Sequence, residues 1–167
     1  FGIRGMGYGV AELISAMKSI LGLVRRWRVA LIGAGKIGSA LFAYQDFRRQ
    51  GFYIESVFDA DRSKVGQSWN GLVVRHDAEL DAALQAEAVD IVIIAVPADV
   101  AQGVVDRVVQ AGVKAILNFA PVKLRVPNHV ALKNVNMAVE LEGLSFALAN
   151  SGGVDRGTPS RAAAARN

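Results

Sequence analysis

Arg28-Val29-Ala30-Leu31-Ile32-Gly33-Ala34-Gly35-Lys36-Ile37-Gly38 is the stretch on which the reading of this chain turns. Arg28–Ile32 is short and almost wholly apolar, which predicts a strand buried on both faces. Lys36–Arg49 has the spacing of a helix. Between them stands G-x-G-x-x-G, a weak signal alone because glycine is common, but informative when it joins a strand to a helix. The first glycine then makes the tight turn, and the second lets backbone approach a pyrophosphate. The third allows close helix–strand packing, and the phosphates meet the positive end of the helix.

Outward from this turn, short apolar runs alternate with amphipathic stretches. Strands are predicted at Arg28–Ile32, Ile54–Phe58, Leu72–Val74, Ile91–Val96, Ala115–Asn118 and Val130–Lys133. Helices are predicted at Lys36–Arg49, Ala78–Glu87 and Ala98–Ala111. That alternation means βαβ units, hence an α/β fold of Rossmann type with a doubly wound, mainly parallel sheet. Upstream, Val10, Leu13, Ile14, Met17, Ile20 and Leu21 form a helical stripe with Gly22 as its stop, after a start holding glycines at 2, 5, 7 and 9. A last helix from about Met137 to Ala149 carries apolar groups nearly all round and so calls for burial on more than one side. Ser151–Asn167, rich in Gly, Ser, Ala and Arg, is expected to be disordered.

Asp59 stands at the end of the second strand, 24 residues after Gly35. A carboxylate there accepts from adenosine ribose hydroxyls and repels a 2′-phosphate, which favours NAD(H) over NADP(H); Arg62 and Lys64 nearby temper that preference. Further walls are expected at the C-terminal ends of later strands, at Val96-Pro97 and at Asn118-Phe119-Ala120-Pro121. Asn118 is a candidate hydrogen-bond partner for a carboxamide or a ribose.

The chain has 167 residues, 52% hydrophobic, with no cysteine. That is enough for one core and too little for a dinucleotide domain plus a full substrate domain. No apolar run approaches the roughly 20 residues of a membrane span, and the start lacks a signal peptide's apolar region. A soluble, cytoplasmic protein is expected. The net charge is +4, but residues 1–28 contribute +4 and residues 151–167 contribute +2, which leaves −2 for residues 29–150. A body of that sign makes a poor DNA-binding surface.

Hydride transfer needs a general acid or base beside the substrate carbonyl. His76 and His129 sit in turn-like settings without a partner pattern, and only some 30 residues separate Pro121 from the tail. The chain therefore reads as one that holds a cofactor without using it, and no catalytic or metal-binding residue is expected.

The residues resemble the Rex family of redox-sensing transcriptional repressors. The resemblance runs from the first residue to about Asn150, and its most specific pieces are Arg4-Gly5-Met6-Gly7-Tyr8 and Asn118-Phe119-Ala120-Pro121. Ile20-Leu21-Gly22-Leu23, Val57-Phe58-Asp59-Ala60-Asp61-Arg62 and Leu144-Ser145-Phe146 extend it. It implies an NADH/NAD⁺-sensing homodimer with the C-terminal helix swapped onto the partner, released from operator DNA when NADH binds. It also implies an organisation: residues 1–26 a remnant of a DNA-binding wing plus a linker helix, 27–136 the Rossmann NAD(H)-binding domain, 137–150 the swapped dimerisation helix, and 151–167 the tail. In this scheme a winged helix precedes the chain's first residue, and Arg4 is the wing residue that enters the minor groove.

By the resemblance the cofactor contacts Gly33, Ala34, Gly35, Lys36, Ile37, Gly38, Asp59, Lys64, Val96, Pro97 and the Asn118–Pro121 run. Tyr44 and Met137 approach the nicotinamide. Two positions depart from the family pattern: Asn136 stands where relatives usually carry an Asp that pairs with Tyr44, and Met137 where some carry Phe. The ionic part of the switch is thereby put in question. The competing readings are a nucleotide-binding fragment of an enzyme, for NAD or CoA, and a purely structural dimerisation module.

Overall fold

Residues 9–20 and 25–151 are described by a computed structural model. In chain order the elements are α1 (Val10–Ile20), β1 (Trp27–Ile32), α2 (Lys36–Ala43), α3 (Gln45–Arg49), β2 (Phe52–Asp59), β3 (Ser68–Trp69), β4 (Leu72–His76), a single 3₁₀ turn (Asp77–Glu79), α4 (Leu80–Ala86), β5 (Ile91–Ile94), α5 (Ala98–Gln110), β6 (Ala115–Asn118), β7 (Ala131–Asn134) and α6 (Met137–Ser151). The expected glycine-rich start with Arg4, the Leu21-Gly22 stop of α1 and the tail beyond Ser151 lie outside the described residues.

The strands form one sheet in the order β3-β4-β2-β1-β5-β6-β7. Every pair is parallel except β3–β4. Leaving out β3, the strands run third, second, first, fourth, fifth, sixth, which is the doubly wound Rossmann order. The direction of winding reverses between β1 and β5, so a crevice opens at their C-terminal ends.

Both faces of the sheet are covered, which explains the unbroken apolar runs. Val29 and Leu31 of β1 pack with Val57, Val74 and Ile93 against Leu41, Phe42 and Phe47 on one side. Ala30 and Ile32 face Phe58, Ile94, Leu80, Ala101 and Val105 on the other. A register shift between Val29 and Ala30 skips Glu55, since Val29 pairs with Ile54 and Ala30 with Ser56. The bulged Glu55 carboxylate accepts from Arg28 Nε at 2.6 Å and from Arg26 Nη2 at 2.7 Å. The hydrogen bond from Arg28, followed by that from Arg26, holds this carboxyl below its ordinary value.

Several expected boundaries move. The helix expected over Lys36–Arg49 is two helices broken at Tyr44, whose backbone is extended (φ −73°, ψ 101°). In an unbroken helix Phe42 and Phe47, five residues apart, would point about 140° apart; the break brings both onto the sheet. Strand β5 stops at Ile94; Ala95 N–H still donates to the Ile32 carbonyl at 2.8 Å, and the Ala95 carbonyl lies against Gly33. The helix expected from Ala78 starts instead as the 3₁₀ turn, with His76 Nδ1 accepting from Ala78 N–H at 3.1 Å. The short strand β3 was not anticipated.

The chain divides after Val135 into two compact units. The second contains α6, which Asn136 caps by accepting from the N–H groups of Ala138 (3.1 Å) and Val139 (3.4 Å). Met137, Val139, Leu141, Leu144, Phe146 and Leu148 along it are exposed. Helix α1 buries no residue, and its stripe of Val10, Leu13, Ile14, Met17 and Ile20 is exposed as well.

Candidate functional site

The three glycines of the turn do three different things. Gly33 has φ +104°, and a Cβ there would run into the Ala95 carbonyl. A Cβ on Gly38 would strike the Gly33 carbonyl. These two positions are closed by the protein itself. At Gly35 a Cβ would meet nothing within 4 Å, although the backbone (φ −81°) would accept a side chain. Nothing in the fold fills that position, and it opens onto the cleft described below. No side chain caps the first turn of α2, and that turn carries no acidic residue. An uncapped helix N-terminus beneath an open glycine is an anion cradle.

The cradle opens into a cleft of about 810 Å³ at the C-terminal edge of the sheet, where the winding reverses. The glycine turn and the start of α2 (Gly33, Gly35, Lys36, Ile37) line its floor. The end of β2 contributes Asp59, Ala60, Asp61 and Lys64, and the turn after β4 contributes Asp77. Ala95, Val96, Pro97, Val100 and Val104 make an apolar wall, and Pro121 closes the far side. The volume suits a sizeable organic ligand.

Asp59 is the polar hinge of the site, with its side chain only 11% exposed. Oδ2 accepts from Ala34 N–H at 2.6 Å and lies 3.4 Å from Lys64 Nζ; Oδ1 accepts from Asp61 N–H at 2.8 Å. One carboxylate thus ties the glycine turn to the loop after β2. Asp61 accepts from the Ser63 hydroxyl at 2.7 Å and the Ser63 N–H at 2.9 Å, and those bonds lower its pKa. Lys36 and Lys64 are the lining cations; Lys64 is paired with Asp59 (3.4 Å) and Asp61 (3.8 Å), which leaves Lys36 at the start of α2 as the cation beside the glycine turn.

The expected residues separate into groups. Gly33, Gly35, Lys36, Ile37, Asp59, Lys64, Val96, Pro97 and Pro121 meet at the cleft. Ala34 and Gly38 are buried and shape the turn from beneath. Asn118 differs from the expectation of a ligand donor. It is 1% exposed, and its amide protons go to the carbonyls of Ala120 (3.2 Å) and Val122 (3.0 Å) and to Asn134 Oδ1 (2.9 Å). Its Oδ1 accepts from Ala120 N–H at 2.9 Å. The side chain is spent on folding the loop that carries Pro121. Phe119, whose N–H donates to the Ile94 carbonyl at 2.8 Å, and the buried Ala120 belong to the same support. Tyr44 lines a separate apolar hollow of about 190 Å³ with Phe47, Phe52, Ile54 and Leu117, edge-on to Phe47. Met137 and Asn136 belong to the second unit. Asp61, Asp77, Val100 and Val104 were missed. Their signal was the i, i+4 pair of valines opening the helix after Pro97, and acidic residues directly after two strands.

Residues 24–122 match the family model described as CoA binding domain. The redox-sensing transcriptional repressor Rex of Carboxydothermus hydrogenoformans is 49% identical over 146 residues, covering 87% of this chain and 70% of that protein. A crystal structure of the Rex-family repressor RSP in complex with β-NAD⁺ and operator DNA superposes with a TM-score of 0.84 at 36% identity, over 91% of this chain and 70% of that one. The complex of RSP with β-NADH gives 0.78 at 35% identity, over 87% and 71%. The relatives are named as repressors and not as enzymes, in keeping with a regulator. Sequence identity, fold and the glycine cradle agree, and the chain belongs to the Rex family of redox-sensing transcriptional repressors.

Proposed function

We propose that the cleft binds NAD(H) and that the chain is the redox-sensing regulatory part of a transcriptional repressor, reporting the NADH/NAD⁺ ratio and performing no catalysis. The observation that carries this reading is Gly35, open toward the uncapped start of α2 with Asp59 beside it. The pyrophosphate would lie over Gly35 and the first-turn N–H groups of α2, with Lys36 supplying charge. The ribose hydroxyls of the adenosine would donate to Asp59. The nicotinamide end would run toward Pro121, held in place by Asn118. The bound dinucleotide supplies the redox signal, because its nicotinamide ring is cationic when oxidised and neutral when reduced.

In the full reading a homodimer forms through α6, whose apolar groups lie on more than one side, and Asn136, Met137 and Tyr44 take part in the switch. An Asn at 136 caps α6 as an Asp would but carries no charge, so discrimination between the two redox forms is expected to rest on packing more than on an ion pair. Arg4 would contact operator DNA from the wing, and NADH binding would release the repressor from its operator. The RSP complexes with β-NAD⁺ and operator DNA and with β-NADH support this reading. The match to a CoA binding domain over residues 24–122 favours a second one, in which the cleft takes CoA.

Calorimetric titration of the chain with NADH, NAD⁺, NADPH and CoA separates them. NADH is expected to bind most tightly, with no turnover of NADH in a parallel absorbance assay. Binding of CoA in preference to NADH would overturn the sensing role.

A further inference from the structure

The charge of −2 on residues 29–150 is a difference between two regions of opposite sign. Residues 29–106 carry six cations against eleven carboxylates. Residues 107–139 carry Arg107, Lys114, Lys123, Arg125 and Lys133 and no carboxylate at all. Arg107 is spent on Asp77 and Asp81, at 2.8 to 3.4 Å. The other four make no ion pair among the described residues.

The fold gathers these four on one flank. After β6 the chain runs down beside α5 and returns as β7, the last strand of the sheet. Leu124, Val126 and Val130 turn the descending run toward the core that holds Val105, and Lys123 and Arg125 between them are exposed. Gln102 of α5 fixes that run, donating to the Arg125 carbonyl at 3.0 Å and accepting from Arg125 N–H at 2.9 Å. At the foot of β7, Ala131 N–H donates to the Lys114 carbonyl at 2.7 Å. Lys133 pairs with Leu117, three residues and about 10 Å further along β6 than Lys114. Both lysines are exposed.

Two features give this flank a partner class. Lys133 alone would blunt the open edge of β7, but that does not account for cations on the loop and at the foot of β6. Val122 is the one exposed large apolar side chain between Gly112 and Val135, so the flank lacks the apolar centre of a protein interface. A phosphate backbone asks only for cations and open N–H groups, and the outer side of β7 supplies the latter.

We propose that this flank is a nucleic-acid surface, on which Lys114, Lys123, Arg125 and Lys133 take backbone phosphates of a duplex without reading its sequence. The assignment rests on the repressor reading, which brings a duplex to the chain, and makes no use of the cleft. The rise from Lys114 to Lys133 spans about three base steps of one strand, at about 3.4 Å each. Such contacts add affinity and hold a register that other contacts choose.

The test measures binding of the chain to a short duplex of arbitrary sequence by fluorescence anisotropy, between about 50 and 200 mM salt. Each phosphate contact contributes about 0.9 to the slope of log affinity against log salt. Lys114→Gln with Lys133→Gln is expected to flatten that slope by about 1.8, and Lys123→Gln with Arg125→Gln added, by about 3.6 in all. Arg48→Gln with Arg49→Gln removes two charges from the end of α3 and is expected to change it by less than about 0.5. All six positions are exposed, so urea midpoints are expected to stay at the wild-type value. No duplex binding by the wild type, a slope unmoved by the flank substitutions, or one moved equally by the α3 pair would overturn the surface. Displacement of the duplex by polyglutamate at equal charge would overturn it too, and assign the flank to an acidic protein. A chain that gives the expected slopes and binds no NADH would overturn the sensing role alone.

Discussion

Gly35 and Gly38 lie three residues apart in one motif, and substitution should separate their roles. Gly35→Val is expected to abolish NADH binding while leaving urea stability within about 0.5 kcal/mol, since the position is open and its backbone extended. Gly38→Ala is expected to cost about 1–3 kcal/mol of stability, because its Cβ meets the Gly33 carbonyl and backbone yields poorly. Normal NADH binding by Gly35→Val would move the phosphate site elsewhere. Asp59 should make NADH bind well over tenfold more tightly than NADPH, a difference of at least about 1.4 kcal/mol. Competition titration reads the ratio, and equal affinities would mean that Lys64 governs the pocket. Because Asp59 also holds Ala34 N–H at 2.6 Å, replacing it to admit a 2′-phosphate would loosen the turn on which the phosphates rest.

Among the elements, those that bury two faces were legible and those shaped by a local contact were not. The central strands β1 and β5 declare themselves because apolar residues continue through positions that a one-sided strand would make polar, whereas the edge strand β7, with Lys133 and Asn134 exposed, rests on a shorter run. The break at Tyr44 has no glycine or proline to announce it; only the need to seat both Phe42 and Phe47 on the sheet requires it. The β3–β4 hairpin did have a signal in Asn70-Gly71. Both residues take positive φ (49° and 87°), the pattern of a type I′ turn, but the flanking Ser68-Trp69 is too short for periodicity to show. Asn118 was found as a motif residue, and its side chain folds the loop that carries Pro121, a part that sequence cannot tell from facing a ligand. The bulge in β2 has a consequence for acid stability. Glu55 is held below its ordinary value in the fold, so its contribution is complete above the unfolded value of about 4.5 and fades as pH falls through the folded one. Glu55→Gln should cost about 1 kcal/mol at pH 7 and flatten the decline below pH 4.5, as followed by urea midpoints across pH. An unchanged pH profile would show that the bulge pair contributes nothing.

The second unit carries α6, whose Met137, Val139, Leu141, Leu144, Phe146 and Leu148 are exposed. Deleting residues from Met137 onward is expected to convert the proposed dimer to monomers or aggregates in sedimentation velocity. The apolar surface of α6, at about 25 cal/mol per Å², is a large source of association energy. A stable, NADH-binding dimer without α6 would end the swapped-helix proposal. The order of strands carries a further consequence, for synthesis. Strand β1 is the centre of the sheet and is made before both of its neighbours, yet one of its edges is filled only by β5, where Val29 pairs with Ile91. At about 5–20 residues per second, translation leaves that apolar edge without its neighbour for roughly 3 to 12 s. For that interval the strand bearing the glycine turn is an open template for pairing with any other nascent chain.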